Sequence, residues 1–247
     1  MKKIAFHIQK GGVGKTTLAG NAAFSCSQIR KTIIVDADPQ GNVTSWLLKE
    51  APQHELADVL TGSVKLEDAI VGVAENFYVL PSFGIGGSLQ AFADFKMIQQ
   101  PFIFDDLCKD IQALGFRIAI FDLSPGMRIL EKYVILAMDE VITPLTPEFF
   151  SLDGIEIFNA ELKNINKDYR RRVRHRRIVA NCINRSFRRH KVICEKFAGL
   201  DYEIFSVVQD SKIAESQIYH QTIFQYCPES KTVPEIRKLS MAIAGSR

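Results

Sequence analysis

Short apolar runs rich in β-branched residues alternate along this chain with longer stretches in which apolar positions recur every three or four residues. Runs of the first kind, nearly continuous in hydrophobicity, predict strands buried on both faces at Ile4 to Ile8, Thr32 to Val35, Phe77 to Leu80, Arg117 to Phe121, Val141 to Thr143, Ile178 to Cys182 and Ile204 to Val208. The second kind predicts helices over Thr16 to Ile29, Leu89 to Ala113, Ile129 to Met138, Gly154 to Asn164, His190 to Ala198 and Ser211 to Tyr219. Strands alternating with helices imply βαβ units and an α/β fold: a mostly parallel, twisted sheet with helices on both faces. Residues 41 to 76 and 81 to 88, richer in Gly, Ser, Pro and charge, are expected to be irregular. No repeat or low-complexity linker divides the sequence, so one domain over residues 1–247 is expected.

Composition narrows the class. With 47% hydrophobic and 24% charged residues the chain has enough apolar side chains for a sizeable core and is far from disordered or collagen-like sequences. Its longest unbroken apolar run, Tyr133 to Met138, falls well short of the roughly 18 residues that cross a bilayer. After Met1-Lys2-Lys3 only Ile4 to Phe6 precede His7, so a secretory signal is not expected and a cytoplasmic protein is. The five cysteines (Cys26, Cys108, Cys182, Cys194 and Cys227) are widely spaced without a C-x-x-C pair, which argues for reduced thiols rather than a disulfide framework or zinc site.

Net charge is only +3, but its distribution is uneven. Between Lys163 and Lys191 there are twelve basic residues and one acid, Asp168. Clustered Lys and Arg displace condensed counterions from a phosphate backbone, so this segment points to a polyanionic partner such as nucleic acid.

The densest chemistry follows the first strand. Lys10-Gly11-Gly12-Val13-Gly14-Lys15-Thr16-Thr17 runs directly into a helical pattern from Leu18. Strand, Gly-rich turn and helix together make an anion nest: backbone N–H groups of the loop point at phosphate oxygens and the helix N-terminus adds positive dipole. In such a loop Lys15 reaches the β- and γ-phosphates and the Thr16 hydroxyl ligates Mg²⁺. Gln9 stands where the strict G-x-x-x-x-G-K-[ST] pattern has its first Gly, and an extra lysine, Lys10, sits beside it. Asp122, ending a strand opposite the loop, fits a metal-side carboxylate acting through water.

This loop resembles the deviant Walker A motif of the ParA/MinD superfamily of nucleotide-switch ATPases. Ile34 to Asn42, with Pro39-Gln40-Gly41-Asn42, is similar to the second motif of the ParA branch, which the MinD branch lacks. Ile118 to Asp122 resembles a Walker B strand, and Asp139 to Pro144 with Glu148 and Ser151 to Gly154 continues the likeness. The resemblance implies a slow Mg²⁺-dependent ATPase with ATP and Mg²⁺ as cofactors. Asp38 would position the attacking water and Asp36 would support the Mg²⁺ shell. Lys10 would cross a dimer interface to the partner's nucleotide, making a homodimer that depends on ATP. Asn181 and Asp210 would flank the adenine, and Asp36 to Asn42 and Asp122 to Arg128 would act as switch loops. Leu123-Ser124-Pro125-Gly126 departs from the family's usual Thr-Pro-Pro-Ser. The resemblance further implies sequence-independent binding to double-stranded DNA, a ParB-like activating partner, and a nucleoid-associated place in the cytoplasm. Arg185, Arg188 and Arg189, which share the carboxyl end of the strand ending at Asn181 with the nucleotide, are the expected DNA contacts, ahead of Arg170 to Arg177. A relative that positions a protein cargo is the alternative. A MinD-like membrane switch is a weaker one: Val233 to Arg247 carries Ile236, Leu239 and Ile243 at helical spacing but few basic residues, a pattern more typical of core packing. Asp122 to Met138 contains no cysteine, which excludes the nitrogenase iron protein.

Overall fold

The computed structural model describes residues 1–245. Among them, β1 (Lys2–Phe6), β2 (Thr32–Ala37), β3 (Val71–Ala74), β4 (Phe77–Leu80), β5 (Ile118–Leu123), β6 (Glu140–Leu145), β7 (Arg174–Ile183) and β8 (Glu203–Val208) form one sheet in the order β3-β4-β2-β5-β1-β6-β7-β8. Every pairing is parallel except β3 with β4. Parallel strands place all their carboxyl ends along one edge, where open α/β sheets bind ligands. β1 is central, and the register sets Phe6 against Asp122 and Asp36 against Asp122, so the phosphate loop and two carboxylates emerge side by side.

The alternation of strand side chains fills two cores. Ile4 and Phe6 of β1, Ile34 of β2 and Ile118 and Ile120 of β5 pack on the face covered by α1 (Lys15–Ser27), α2 (Asn42–Leu47) and, farther along the chain, the C-terminal helix. Ala5, Ile33, Val35, Ala119 and Phe121 point the other way. The first half of that second layer contains α3 (Leu56–Leu60), α4 (Leu66–Ala69), α5 (Leu89–Phe95), a 3₁₀ turn (Met97–Gln99) and α6 (Ile103–Ala113). It is completed by α7 (Ile129–Ala137), α8 (Ser151–Asp168) and α9 (Arg188–Ala198), while α10 (Ser211–Ile218), α11 (Ile223–Tyr226) and α12 (Val233–Gly245) end the fold.

Four expectations change. The helix expected over Leu89 to Ala113 is broken into α5, the 3₁₀ turn and α6, because Pro101 disfavours helical backbone at Gln100, whose ψ is 60°. Residues 41 to 76 are not irregular: they hold α2, α3, α4 and β3, short elements that leave little periodicity to read. α8 runs from Ser151 to Asp168, a turn or so beyond the expected segment. Not all of the basic run is available to a polyanion, since Arg177 is buried between Glu140 at 2.9 Å and Glu203 at 2.7 Å and Arg171 is paired with Asp105.

Ile236, Leu239 and Ile243 are fully buried against α1 and the sheet, so their stripe is core packing. Arg247 lies outside the described residues. No helix among the described residues is long and apolar enough to cross a membrane.

Candidate functional site

The loop from Lys10 to Thr17 leaves β1 with glycine conformations at its turns. Gly12 and Gly14 have φ of 71° and 89°, and Gly14 caps α1 in the left-handed region. A Cβ on Gly14 would fall 2.2 Å from the Asn181 side-chain nitrogen and displace it, and any side chain there would be strained at this φ. That same nitrogen donates to the Val13 carbonyl at 2.9 Å, tying the loop to the end of β7. Cys182, in the left-handed region at φ 55°, accompanies a register shift of β7 against β8 at this point.

The two loop lysines are segregated. Lys15 is buried and its ammonium donates to the Lys10 carbonyl at 2.8 Å and the Ile8 carbonyl at 3.4 Å; burial lowers its pKa, opposed by Asp122 and Asp38. Lys10 turns outward to Glu148, 2.5 Å away. Glu148 is thus a neighbour of the loop that sequence reading noted only as part of a motif.

Three aspartates gather beside Lys15, and they are not equivalent. Asp122 is fully buried and neither carboxylate oxygen has a hydrogen-bond partner of normal geometry; burial, then Asp36, hold its pKa well above the usual range against the pull of Thr16 and Lys15. An orphaned carboxylate beside a threonine hydroxyl suits a hydrated Mg²⁺, an oxygen-seeking ion that keeps several waters. Among the described residues no group of three His, Cys, Asp or Glu could hold a metal by itself, so such an ion would share its shell with phosphate oxygens.

Asp36 is tied to the start of α2. Its Oδ2 accepts from the Thr44 backbone at 2.8 Å and the Thr44 hydroxyl at 2.7 Å, and burial pushes its pKa up to about 7. Its observed part is to hold the loop that carries Asp38 against α2. The signal for Thr44 was weak, because the contact bridges eight residues and belongs to no motif. Asp38 itself, beyond the last residue of β2, is nearly buried and accepts from the Gln40 backbone at 2.9 Å, with its pKa raised chiefly by burial. Gly41 packs this loop on its neighbour: a Cβ there would lie 2.7 Å from Ser82 and Gly84 backbone atoms. In the second loop the Ser124 hydroxyl donates to Glu131, which also caps α7 by accepting from Arg128 N–H at 2.8 Å.

A cavity of about 850 Å³ opens from Gly12, Gly14 and Thr17 toward Asn181, Asp210 and Arg185. Asp210 has both oxygens engaged, one by the Lys212 backbone at 3.0 Å as the cap of α10 and the other by the Ser230 hydroxyl at 2.7 Å. Gln217 of α10 donates to the Thr17 hydroxyl at 3.1 Å, a contact that sequence reading missed. Gly11 is exposed at the loop's tip and Thr16 is half-buried at the head of α1. Arg188 and Arg189 lie apart from this cavity, at the start of α9.

Comparison with known proteins identifies the family. A family model described as an AAA domain matches residues 1–175. The chain is 44% identical over 245 residues to protein BBD21 of Borreliella burgdorferi, covering 98% of this chain and 99% of that one. It is 26% identical over 246 residues to the chromosome-partitioning ATPase Soj of Thermus thermophilus, covering 97% and 94%. The septum site-determining protein MinD of Pyrococcus horikoshii, solved with Mg-ADP, superimposes with a TM-score of 0.80 over 98% of this chain and 96% of that one, at 24% identity. These likenesses place the chain in the AAA domain family, in its ParA-type group of P-loop partition and positioning ATPases.

Proposed function

We propose that the chain is an ATP-gated dimerising switch that binds DNA without sequence preference in its ATP state and moves DNA with a ParB-like activating protein. The observation that carries this reading is the separation of the two lysines. Lys15 fills the phosphate cradle, while Lys10 points out of it and, among the described residues, its ammonium pairs with Glu148. An ammonium at the mouth of one nucleotide site that serves no phosphate within it suits the nucleotide of a second copy.

In this reading the loop N–H groups from Gly11 to Thr17 and the Lys15 ammonium bind the β- and γ-phosphates. Mg²⁺, when bound by Thr16 and, through water, Asp122, would neutralise charge between the phosphates. Asp38 orients the attacking water, and Asp36, through Thr44, keeps Asp38 in place. Asn181 and Asp210 border the base. Dimerisation that depends on the γ-phosphate makes hydrolysis the reset, because a ligand shifts an equilibrium only by its differential affinity for the two states. Arg185, Arg188 and Arg189 are the proposed DNA contacts, which would place the ATP form on the nucleoid.

Phosphate release with and without chelation of Mg²⁺, alongside retention of random duplex in ATP and in ADP, tests the reading. Mg²⁺-dependent release together with ATP-dependent retention is the expected result. Equal retention in the two nucleotides contradicts it.

A further inference from the structure

Helices α8 and α9 follow the adjacent parallel strands β6 and β7 and lie on the same face of the sheet. At their N-terminal ends a groove of about 730 Å³ opens to solvent, with Phe149, Phe150, Val192 and Ile193 among its lining residues. Phe149 and Phe150 are 66% and 71% exposed and meet edge to face with centroids 5.4 Å apart. Two adjacent phenylalanines left in water are costly at roughly 25 cal/mol per Å², and a contiguous exposed apolar patch marks a site of interaction.

The rim selects the class of partner. Arg188 and Arg189 line the groove, and the Lys196 ammonium lies 5.7 Å from the Phe149 ring centre. Glu148 is the only acid among the lining residues, and Lys10 already neutralises it. A second copy docked by a two-fold axis would bring these cations against their own kind. A phosphate backbone satisfies the arginines but buries no phenylalanine. An amphipathic helix satisfies both, with apolar anchors one turn apart entering the floor and acidic side chains meeting the rim.

We propose that this groove docks an acidic amphipathic helix of a partner protein. The inference goes beyond the nucleotide cycle: the groove shares no lining residue with the nucleotide cavity and adjoins the phosphate loop through the Glu148–Lys10 pair, so it is tested in the nucleotide-free chain, where that pair is formed. Because Arg188 and Arg189 also carry the proposed DNA contact, the docked helix and duplex DNA exclude one another.

The test uses the full chain without nucleotide and a fluorescent helical peptide with Leu on one face and Glu on the other, beside a twin carrying Lys for Glu. Anisotropy should show binding of the Glu peptide and at least about tenfold weaker binding of the Lys twin. Phe149→Ser combined with Val192→Ser should weaken the Glu peptide by about tenfold or more, as truncation of anchor residues does. That double variant should still retain random duplex in ATP, whereas Arg188→Glu should weaken peptide and duplex alike. Val192→Asp, at a single exposed position, repeats the floor test where the double variant fails to fold. Equal binding of the two peptides, or unchanged Glu-peptide affinity in the floor variants, overturns the proposal. So does a floor variant that loses ATP-dependent dimer mass while the parent binds neither peptide, because the groove then belongs to a second copy. Binding of a fluorescent ATP analogue, measured in parallel, shows separately whether the nucleotide reading stands.

Discussion

Lys10 and Glu148 form an ion pair at 2.5 Å that joins the start of the phosphate loop to the approach to α8. Both partners face solvent, and such pairs contribute only about 0–1 kcal/mol, so the contact parks Lys10 without committing it to the fold. Glu148→Ala is therefore expected to change unfolding free energy by less than about 1 kcal/mol and to leave monomer affinity for a fluorescent ATP analogue unchanged. Urea denaturation and an equilibrium titration check the two parts. A large loss of stability would make the pair structural.

Lys15 is the opposite case, buried within the loop it would serve. Charge-assisted contacts to phosphate are roughly twice as strong as neutral ones, so Lys15→Ala should abolish hydrolysis and sharply weaken the fluorescent ATP analogue. Unchanged affinity would defeat the assignment of Lys15 to the phosphates.

Thr44→Val removes a hydroxyl that donates to Asp36 and accepts from the Ser82 backbone at 2.9 Å. It leaves the buried Ser82 N–H without a partner and takes one of two Thr44 donors from Asp36 Oδ2, whose contact with the Thr44 backbone remains; an unsatisfied buried group costs about 1–3 kcal/mol. We expect a loss of stability in that range by urea denaturation, together with slower hydrolysis, because the loop holding Asp38 is less firmly anchored. Parent-like stability would show that Asp36 does not depend on Thr44.

The architecture was legible because strands buried on both faces write continuous apolar runs, and the parallel order then fixes where strand ends meet. The phosphate loop was legible because glycine spacing and a following helix are local. What was not legible depends on contacts between distant residues. Thr44 reaches back to Asp36, Glu148 meets Lys10 across the chain, and Arg177 is buried between Glu140 and Glu203 although it reads as one more charge in a basic run. Similarly, β3 is a short edge strand whose half-buried residues carry no clear period.

The DNA assignment predicts a particular salt dependence. Replacing Arg185, Arg188 and Arg189 by Glu should lower affinity for random duplex in ATP and reduce the slope of log K against log salt, by about 0.9 for each phosphate that is no longer neutralised. Filter retention at several salt concentrations provides the slope. An unchanged slope would make these arginines a solvated surface.

The switch itself is tested most directly by molar mass in solution, measured by light scattering with Mg²⁺ and either ATP or ADP. The parent should be a dimer in ATP and a monomer in ADP, Lys10→Ala a monomer in both, and Asp38→Ala a dimer that persists because hydrolysis is blocked. A parent whose mass is the same in both nucleotides, or a Lys10→Ala protein that dimerises like the parent, would contradict the account.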